Sequence, residues 1–442
     1  METVVGSVTE PVVESDPPGG QTPSVYRVQF PPGFTDRGGC PFDPPAALTD
    51  YSERAAIQPI DLTGGDTGWL VTGYDECRKL LADSRLSTDR LRNPRVAKLP
   101  PELREKLMDE KTRAGDFLAM DAPEHTRYRK VLNRQFTLRR IRELEPRILD
   151  IVTERIDAML AKGATADGGS ADGNSADLVR DFALPVPSLV ICELLGVAPE
   201  DREEFQARTG TLLDPDVTFE EQLAGLDALK QFIHGLVRKK RAAPADDVLS
   251  GLVHADAEPA LTDDEIVGMA NLLLVGGHET TASMLALGTF ALLEHPEQLR
   301  RLRERPELID GAVEEMLRYL SIVPLGLLRT TIEEVEIAGQ VVPAGALVIL
   351  SVSAANRDPR RYHGPADFDV TRPRQAHLSF GHGIHQCIGQ QLSRAEMTVG
   401  FAELLRRLPG LRLAIPADEV PLREQMAVYG VHSLPVAWDA PT

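Results

Sequence analysis

Phe380-Gly381-His382-Gly383-Ile384-His385-Gln386-Cys387-Ile388-Gly389 decides how this chain of 442 residues is read. The glycines within it, and the run QQLSRAEMTVGFAELLRRL behind it, make it a loop feeding a helix, expected from about Ile388 to Leu408. A cysteine just ahead of a helix N-terminus meets unpaired N–H groups and the positive end of the helix dipole, and both favour the thiolate. Gly383 and Gly389 withhold side chains where a flat ligand would approach the backbone. With the chain's own 13 Phe, 35 Gly and 4 Cys, the pattern F-x-x-G-x-x-x-C-x-G arises by chance in roughly one shuffled sequence per thousand. The other cysteines, Cys40, Cys77 and Cys192, have no such setting and read as small buried hydrophobes.

Upstream, Thr262-x-x-Glu265 makes a capping box with Asp263 and Asp264 in the first turn, and the helix it opens runs to His295-Pro296. At about 1.5 Å per residue this helix spans roughly 50 Å, and apolar residues on most of its faces put it at the centre of the fold. It contains Gly276-Gly277-His278-Glu279-Thr280-Thr281. Two adjacent glycines cost a helix interior about 2 kcal/mol relative to alanine. Thr280, one turn after Gly276, can bond back to that carbonyl and open a pocket beside the glycines. Glu279 is a carboxylate in an apolar helix, while His278 reads as a packed polar side chain rather than a ligand.

The balance of 67 acidic against 48 basic residues, a net charge of −19, speaks against nucleic acid or an anionic membrane as a general partner. No apolar start marks a signal or anchor, and the longest apolar region, Ile266 to Leu293, is broken by Gly276 to Glu279. Four cysteines without paired spacing fit the reducing cytoplasm. Proline-rich residues 1–38 read as a mobile tail, and 39–442 as a single domain. Short strands then a helix are expected from Gln58 to Leu81, and a surface loop over ADGGSADGNSAD (166–177). Helix dominates from Leu184 to about Leu320, after which TTIEEVEI and QVVPAGALVILSV bring strands back. The fold class is therefore mainly α with a smaller β-rich region. From Arg127 to Arg142 stand seven basic residues and no acidic one.

Taken in order, these segments resemble the cytochrome P-450 family over about residues 40 to 440, with FGHGIHQCIG matching its haem-thiolate loop. The resemblance implies the P-450 fold, with haem b held between the long central helix and the cysteine loop. It implies Cys387 as the axial ligand of the haem iron, Phe380, Gly383 and Gly389 around the cofactor, and His125, Arg129, Arg329 and His385 on its propionates. Glu279 and Thr280 match the acid and alcohol that supply protons for O–O cleavage, and Gly276 replaces the family's usual alanine, which widens the oxygen pocket. Glu315 and Arg318 match a structural E-x-x-R pair, closed by NRDP (356–359) and FDVTR (368–372).

By the same resemblance the substrate pocket is lined by Leu91 to Met120, Leu273 to Gly277, Ile322 to Leu328 and Met426 to Tyr429, with Val275, Gly276, Val323, Leu325 and Val428 as contacts. The chain looks most like soluble actinomycete members that tailor secondary metabolites. The implied activity is insertion of one atom of O2 into a lipophilic small molecule, by hydroxylation or epoxidation, on a polyketide, macrolide or terpenoid. Electrons would come from NAD(P)H through a ferredoxin reductase and a ferredoxin, docked on the Arg127 to Arg142 patch. A peroxygenase or nitric-oxide-reducing haem-thiolate enzyme and a non-enzymatic haem sensor are the alternatives. The Glu279-Thr280 pair speaks against the first, and the wide helical pocket against the second.

Overall fold

The computed structural model describes residues 33–439 apart from 35, 63–64, 166–173, 203, 206–207, 209–218, 325 and 425. Strands β1 (Ile57–Leu62) and β2 (Asp66–Val71) are antiparallel, with Gln58 opposite Leu70. Ile60 and Leu62 face the core while Asp61 between them faces out, the period-two pattern of a half-buried strand. Helix α1 (Tyr74–Leu81) follows and burns no loop between strand and helix beyond Thr72 and Gly73. The two-residue β3 (Leu86–Ser87) leads toward α2 (Glu124–Gln135) and α3 (Leu138–Thr165).

Then come β4 (Asn174–Asp177), α4 (Pro185–Leu195) and, beyond the helices Phe219–Ala242 and Val248–Val253, α5 (Asp263–Glu294), which is the long helix. Its capping box forms as expected: the Thr262 hydroxyl accepts from the Glu265 N–H, and the Glu265 carboxylate accepts from the Thr262 N–H at 2.8 Å. Most of α5 from Thr281 to Leu292 is buried. Helix α6 (Ile309–Leu320), β5 (Leu327–Thr331), the ladder of β6 (Val335–Ile337) with β7 (Gln340–Val342), β8 (Leu347–Leu350) and α7 (Gln390–Arg407) come next. Strands β9 (Arg412–Leu413) and β10 (Pro435–Trp438) close the chain.

Mainly α structure with a smaller β region is thus what forms. The five-stranded sheet runs β1-β2-β8-β5-β3, so strands from the two ends of the chain interleave. That pairing brings Arg329 on β5 into the neighbourhood of the residues that follow β3. Helix α7, which starts just after Cys387, crosses α5 closely because both lack side chains at the contact: a Cβ on Gly400 would lie 2.9 Å from Leu285 Cδ2, and one on Gly288 2.6 Å from Phe401 Cζ. Nearer the cysteine loop the Thr281 and Ser393 hydroxyls meet at 3.2 Å, so the start of α7 lies beside the middle of α5.

Two expectations need correction. The run ADGGSADGNSAD is not all surface loop: residues 166–173 lie outside the described ones, but Asn174–Asp177 pairs antiparallel with β10. A polar strand serves there because its backbone completes the ladder beside buried Val436 and Trp438, while Asp177 accepts hydrogen bonds from the Val179 and Leu434 N–H groups. The tail drawn to residue 38 is also too long. Residues 1–32 lie outside the described ones, yet Phe34 packs in a cluster with Leu48, Ile60 and Leu70, and Arg37 is buried with its guanidinium 3.5 Å from the centre of the Tyr429 ring.

Candidate active site

The cysteine loop is shaped by backbone conformation before any ligand is considered. Gly381 and Gly383 both have positive φ (+68° and +76°), and the Cys387 N–H donates to the Phe380 carbonyl at 2.8 Å, folding the segment back on itself. A Cβ on Gly383 would lie 2.5 Å from the Leu81 carbonyl, so this glycine answers to its φ and to α1. At Gly389 a Cβ would stand 4.0 Å from the Cys387 sulfur, an ordinary contact. Phe380 lies under the Arg394 guanidinium, 4.5 Å from its ring centre, and Arg394 is held by Glu314 at 2.6 Å.

Cys387 carries exposed surface although protein surrounds it closely on its other sides. Burial pushes its thiol up, opposed by the N–H groups of Gly389 and Gln390 and by the charges of Arg129 and Arg394. The helix N-terminus does aim its donors at the sulfur, but burial outweighs them. A cation at the sulfur is what would complete the thiolate. Cys77 and Cys192, by contrast, are fully buried thiols, and among the described residues no group of histidines, cysteines and carboxylates forms a separate metal cage.

His125 and Arg129 on α2, Arg329 on β5 and His385 in the cysteine loop come together although they lie on three different segments. The His125 and His385 rings are 4.2 Å apart, and both ring nitrogens of His125 are buried without a hydrogen-bond partner. Arg129 donates to the Gln386 carbonyl at 2.6 Å, one residue before the cysteine. Burial lowers Arg329 to about 10 and His385 to about 3, the latter aided by the charges of His125, Arg329 and Arg129. Burial, then Arg129, also lowers His125. The carboxylate facing this cluster is Asp121, which is already engaged by the Ser87 and Thr88 hydroxyls and the Thr88 N–H. Each shift is in the direction that an added anion would cancel. The orphaned His125 nitrogens and the under-compensated arginines therefore fit a ligand that brings two carboxylates beside Cys387, as a haem with its propionates does.

Across from the loop, the middle of α5 has two different sides. A Cβ at Gly276 would meet nothing within 4 Å, and Val275 beside it is 40% exposed although most of the apolar residues of α5 are buried. Gly277 instead lets α4 approach, since a Cβ there would stand 2.9 Å from Ile191 Cδ1. The Thr280 hydroxyl donates to the Gly276 carbonyl at 2.6 Å, the back-bond expected from the spacing. His278 turns away to the Leu184 carbonyl at 3.1 Å, and burial lowers it to about 4, so it is a neutral packed side chain. Gly276→Ala should raise stability by about 0.5–1 kcal/mol, because alanine loses less backbone entropy in a helix, while narrowing the open face. Thermal midpoints and the affinities of a graded series of lipophilic ligands would check both effects.

Glu279 has a partner that spacing along the sequence did not suggest. The Arg423 guanidinium, from the C-terminal turn, donates to its carboxylate. The same turn meets the stretch before β5, where the Tyr429 N–H donates to the Ile322 carbonyl at 2.8 Å. Half-buried Val323 and Val428 therefore belong to adjoining segments near α5; Leu325 lies outside the described residues. The Leu91 to Met120 stretch closes on the start of α5, where a Cβ on Gly115 would lie 2.2 Å from the Glu265 carbonyl.

Glu315 and Arg318 form a fully buried pair. Arg318 donates to the carboxylate through Nε at 2.7 Å and Nη2 at 2.8 Å, and to the carbonyls of Asn356, Pro365 and Asp367. Arg372 adds a third bond to Glu315 at 3.1 Å. Asn356 passes this order on: its side chain donates to Ser379 and accepts from the Leu378 N–H, directly ahead of Phe380.

The basic run from Arg127 to Arg142 is not one uniform patch. Arg127 pairs with Glu265 on α5, Arg129 turns inward, and Arg140 bonds Gln135 and Asp246. Lys130, Arg134, Arg139 and Arg142 remain exposed. Asp121, four residues before His125, is the one further member of the cationic site that the sequence could have disclosed; Arg423 had no such local mark.

Comparison with known proteins agrees with this architecture. The family model "Cytochrome P-450" matches residues 211–428. Cytochrome P-450 105C1 of Streptomyces sp. is 46% identical over 90% of this chain and 96% of its own length. Pentalenic acid synthase of Streptomyces avermitilis is 42% identical over 93% of this chain and 98% of its own. The crystal structure of Rif16 in complex with R-L superposes with a TM-score of 0.80 at 52% identity, covering 92% of this chain and all of that one. With relatives this similar along nearly the whole length, and with the fold they share, the chain belongs to the cytochrome P-450 family of haem-dependent monooxygenases.

Proposed function

We propose that this protein inserts one atom of dioxygen into a lipophilic secondary metabolite, with haem b held by Cys387 and its propionates by His125, Arg129, Arg329 and His385. The observation that carries the reading is the pairing of an exposed cysteine sulfur with an under-compensated cationic cluster, opposite the open face at Gly276. When bound, the haem supplies dioxygen activation and the oxidising power for the reaction. Cys387 would supply an electron-rich sulfur donor to it, with the Cys387 N–H held by the Phe380 carbonyl and the sulfur faced by the N–H groups of Gly389 and Gln390. Glu279 and Thr280 carry protons into the pocket. The Thr280 hydroxyl, parked on the Gly276 carbonyl, is free to turn toward a bound reactant without disturbing the helix.

Apolar Val275, Val323 and Val428 suit a lipophilic polyketide, macrolide or terpenoid and supply few polar anchors. Electrons come from NAD(P)H by way of a ferredoxin and its reductase, and exposed Lys130, Arg134, Arg139 and Arg142 suit docking of an acidic carrier. The described chain from Gly33 onward works as one unit, in the cytoplasm, where four free cysteines stay reduced. The test is a spectral binding screen of lipophilic natural products, followed by turnover with ferredoxin, reductase and NADPH. Substrate-induced loss of water from the iron and electron-dependent product are expected. Product with peroxide alone, or no response to any organic ligand, would overturn it.

Thr280→Ala should bind substrate as the parent does but release reduced oxygen as peroxide, lowering product per NADPH by about 10²-fold, the low end of what a positioned proton-transfer group contributes. Peroxide yield and product yield, measured together, decide this.

A further inference from the structure

We propose that Arg423 is a positioning residue for Glu279, tying the proton handling of that carboxylate to the turn that faces the substrate. The inference rests on reading Glu279 as a proton carrier and asks what sets its state.

Glu279 and Arg423 are both largely buried, with side-chain exposures of 15% and 8%. One guanidinium nitrogen, Nη2, meets one carboxylate oxygen, Oε1, and among the described residues nothing else hydrogen-bonds to this carboxylate. The second oxygen is left for other work. A carboxylate meant only to brace the fold is treated differently in this same protein: Glu315 receives both Nε and Nη2 of Arg318 and a further bond from Arg372. Burial favours the protonated form of Glu279, and the charge of Arg423 opposes it. The neighbouring titratable group, His278, is neutral and turned to the Leu184 carbonyl on the other side of α5.

Arg423 is anchored in a hairpin closed by the Leu422–Val431 bridge, with its own N–H donating to the Gly430 carbonyl at 2.9 Å. The base of this hairpin is pressed on α5 one turn beyond Glu279, where a Cβ on Gly430 would lie 2.9 Å from Ser283 Oγ. Tyr429 is clamped by the stacked Arg37 and by its hydroxyl, which donates to the Pro41 carbonyl at 2.7 Å. Between these fixed points lies the turn with Met426 and Val428, and Arg423 Nε donates to Met426 Sδ at 3.0 Å. One guanidinium thus touches both the acid and the substrate-facing turn. A guest that displaces Met426 disturbs the same group whose charge opposes protonation of Glu279.

The experiment follows product formed per NADPH consumed as a function of pH, in the haem-loaded enzyme with its electron donors. It compares the parent, R423K, R423M, E279Q and the double variant, each with its thermal midpoint. Without the arginine the carboxylate keeps its proton to higher pH, so R423M should move the ionisation that governs coupling upward by at least about one unit and lower coupling at neutral pH about tenfold. R423K should restore most of the parent profile, and R423M should have no further effect on the profile in the E279Q background. If R423M fails to take up haem, R423Q carries the same expectation. A parent-like pH profile in R423M with only a lower midpoint would overturn the proposal, leaving Glu279 its role. Full coupling in E279Q would instead remove the proton-carrier reading, and the proposal with it.

Discussion

Cys387→Ser is expected to give a folded protein that no longer shows the red-shifted carbon-monoxide spectrum of a thiolate-ligated haem, with turnover reduced by at least about 10³-fold, the scale of losing a group on which all chemistry depends. Serine retains the small size of the side chain, and the bonds that shape the loop are backbone bonds: Cys387 N–H to Phe380 carbonyl, Gly381 N–H to Leu378 carbonyl and Gln386 N–H to Gly383 carbonyl. Stability should therefore change by no more than about 0.5 kcal/mol, as for substitutions that leave packing and hydrogen bonds alone. A hydroxyl has neither the acidity nor the electron donation of a thiol, and the donors of Gly389, Gln390, Arg129 and Arg394 do not make up that difference. Difference spectra of the reduced, carbon-monoxide-treated protein, with an unfolding curve alongside, test this. An unchanged spectrum would discard Cys387 as the ligand.

Arg318→Ala should be among the most damaging substitutions in the chain. Removing one member of a buried ion pair strands the other, at a cost of about 3–5 kcal/mol, set against a total stability of about 5–15 kcal/mol for a typical domain. Here the side chains of Glu315 and Arg318 are each 2% exposed, and the carbonyls of Asn356, Pro365 and Asp367 each lose a bond with the arginine, Pro365 keeping one from Arg357 and Asp367 one from Arg372. Lysine should rescue poorly, because a single ammonium cannot reproduce the planar fork that meets Glu315 through two nitrogens. The damage should reach the cysteine loop, since Asn356, whose carbonyl Arg318 holds, orders Leu378 and Ser379. Denaturant midpoints and haem retention would show this as a lower midpoint and faster haem loss. Parent-like values for both would mean that the pair does not brace the loop.

Helix α5 and the cysteine loop were legible because their signals are local. The Thr262–Glu265 box and the Thr280 bond to Gly276 each involve residues three or four apart, and helical geometry alone decides whether such residues meet. The Asn174–Asp177 strand escaped notice for the converse reason: nothing in NSAD favours an extended chain, and only the ladder offered by Pro435–Trp438 makes it one.

The sequence by itself therefore determined the family, the fold class and the residue types able to hold a haem. Tertiary structure alone decided who faces whom. Glu279 and Arg423 are 144 positions apart, and Arg127, which looked like part of a basic surface, is spent on Glu265 of the long helix. Periodicity reports only contacts within one helical turn or one strand pair. An ion pair between distant segments depends on how sheets and helices close around the core, and on the burial that makes one partner indispensable to the other.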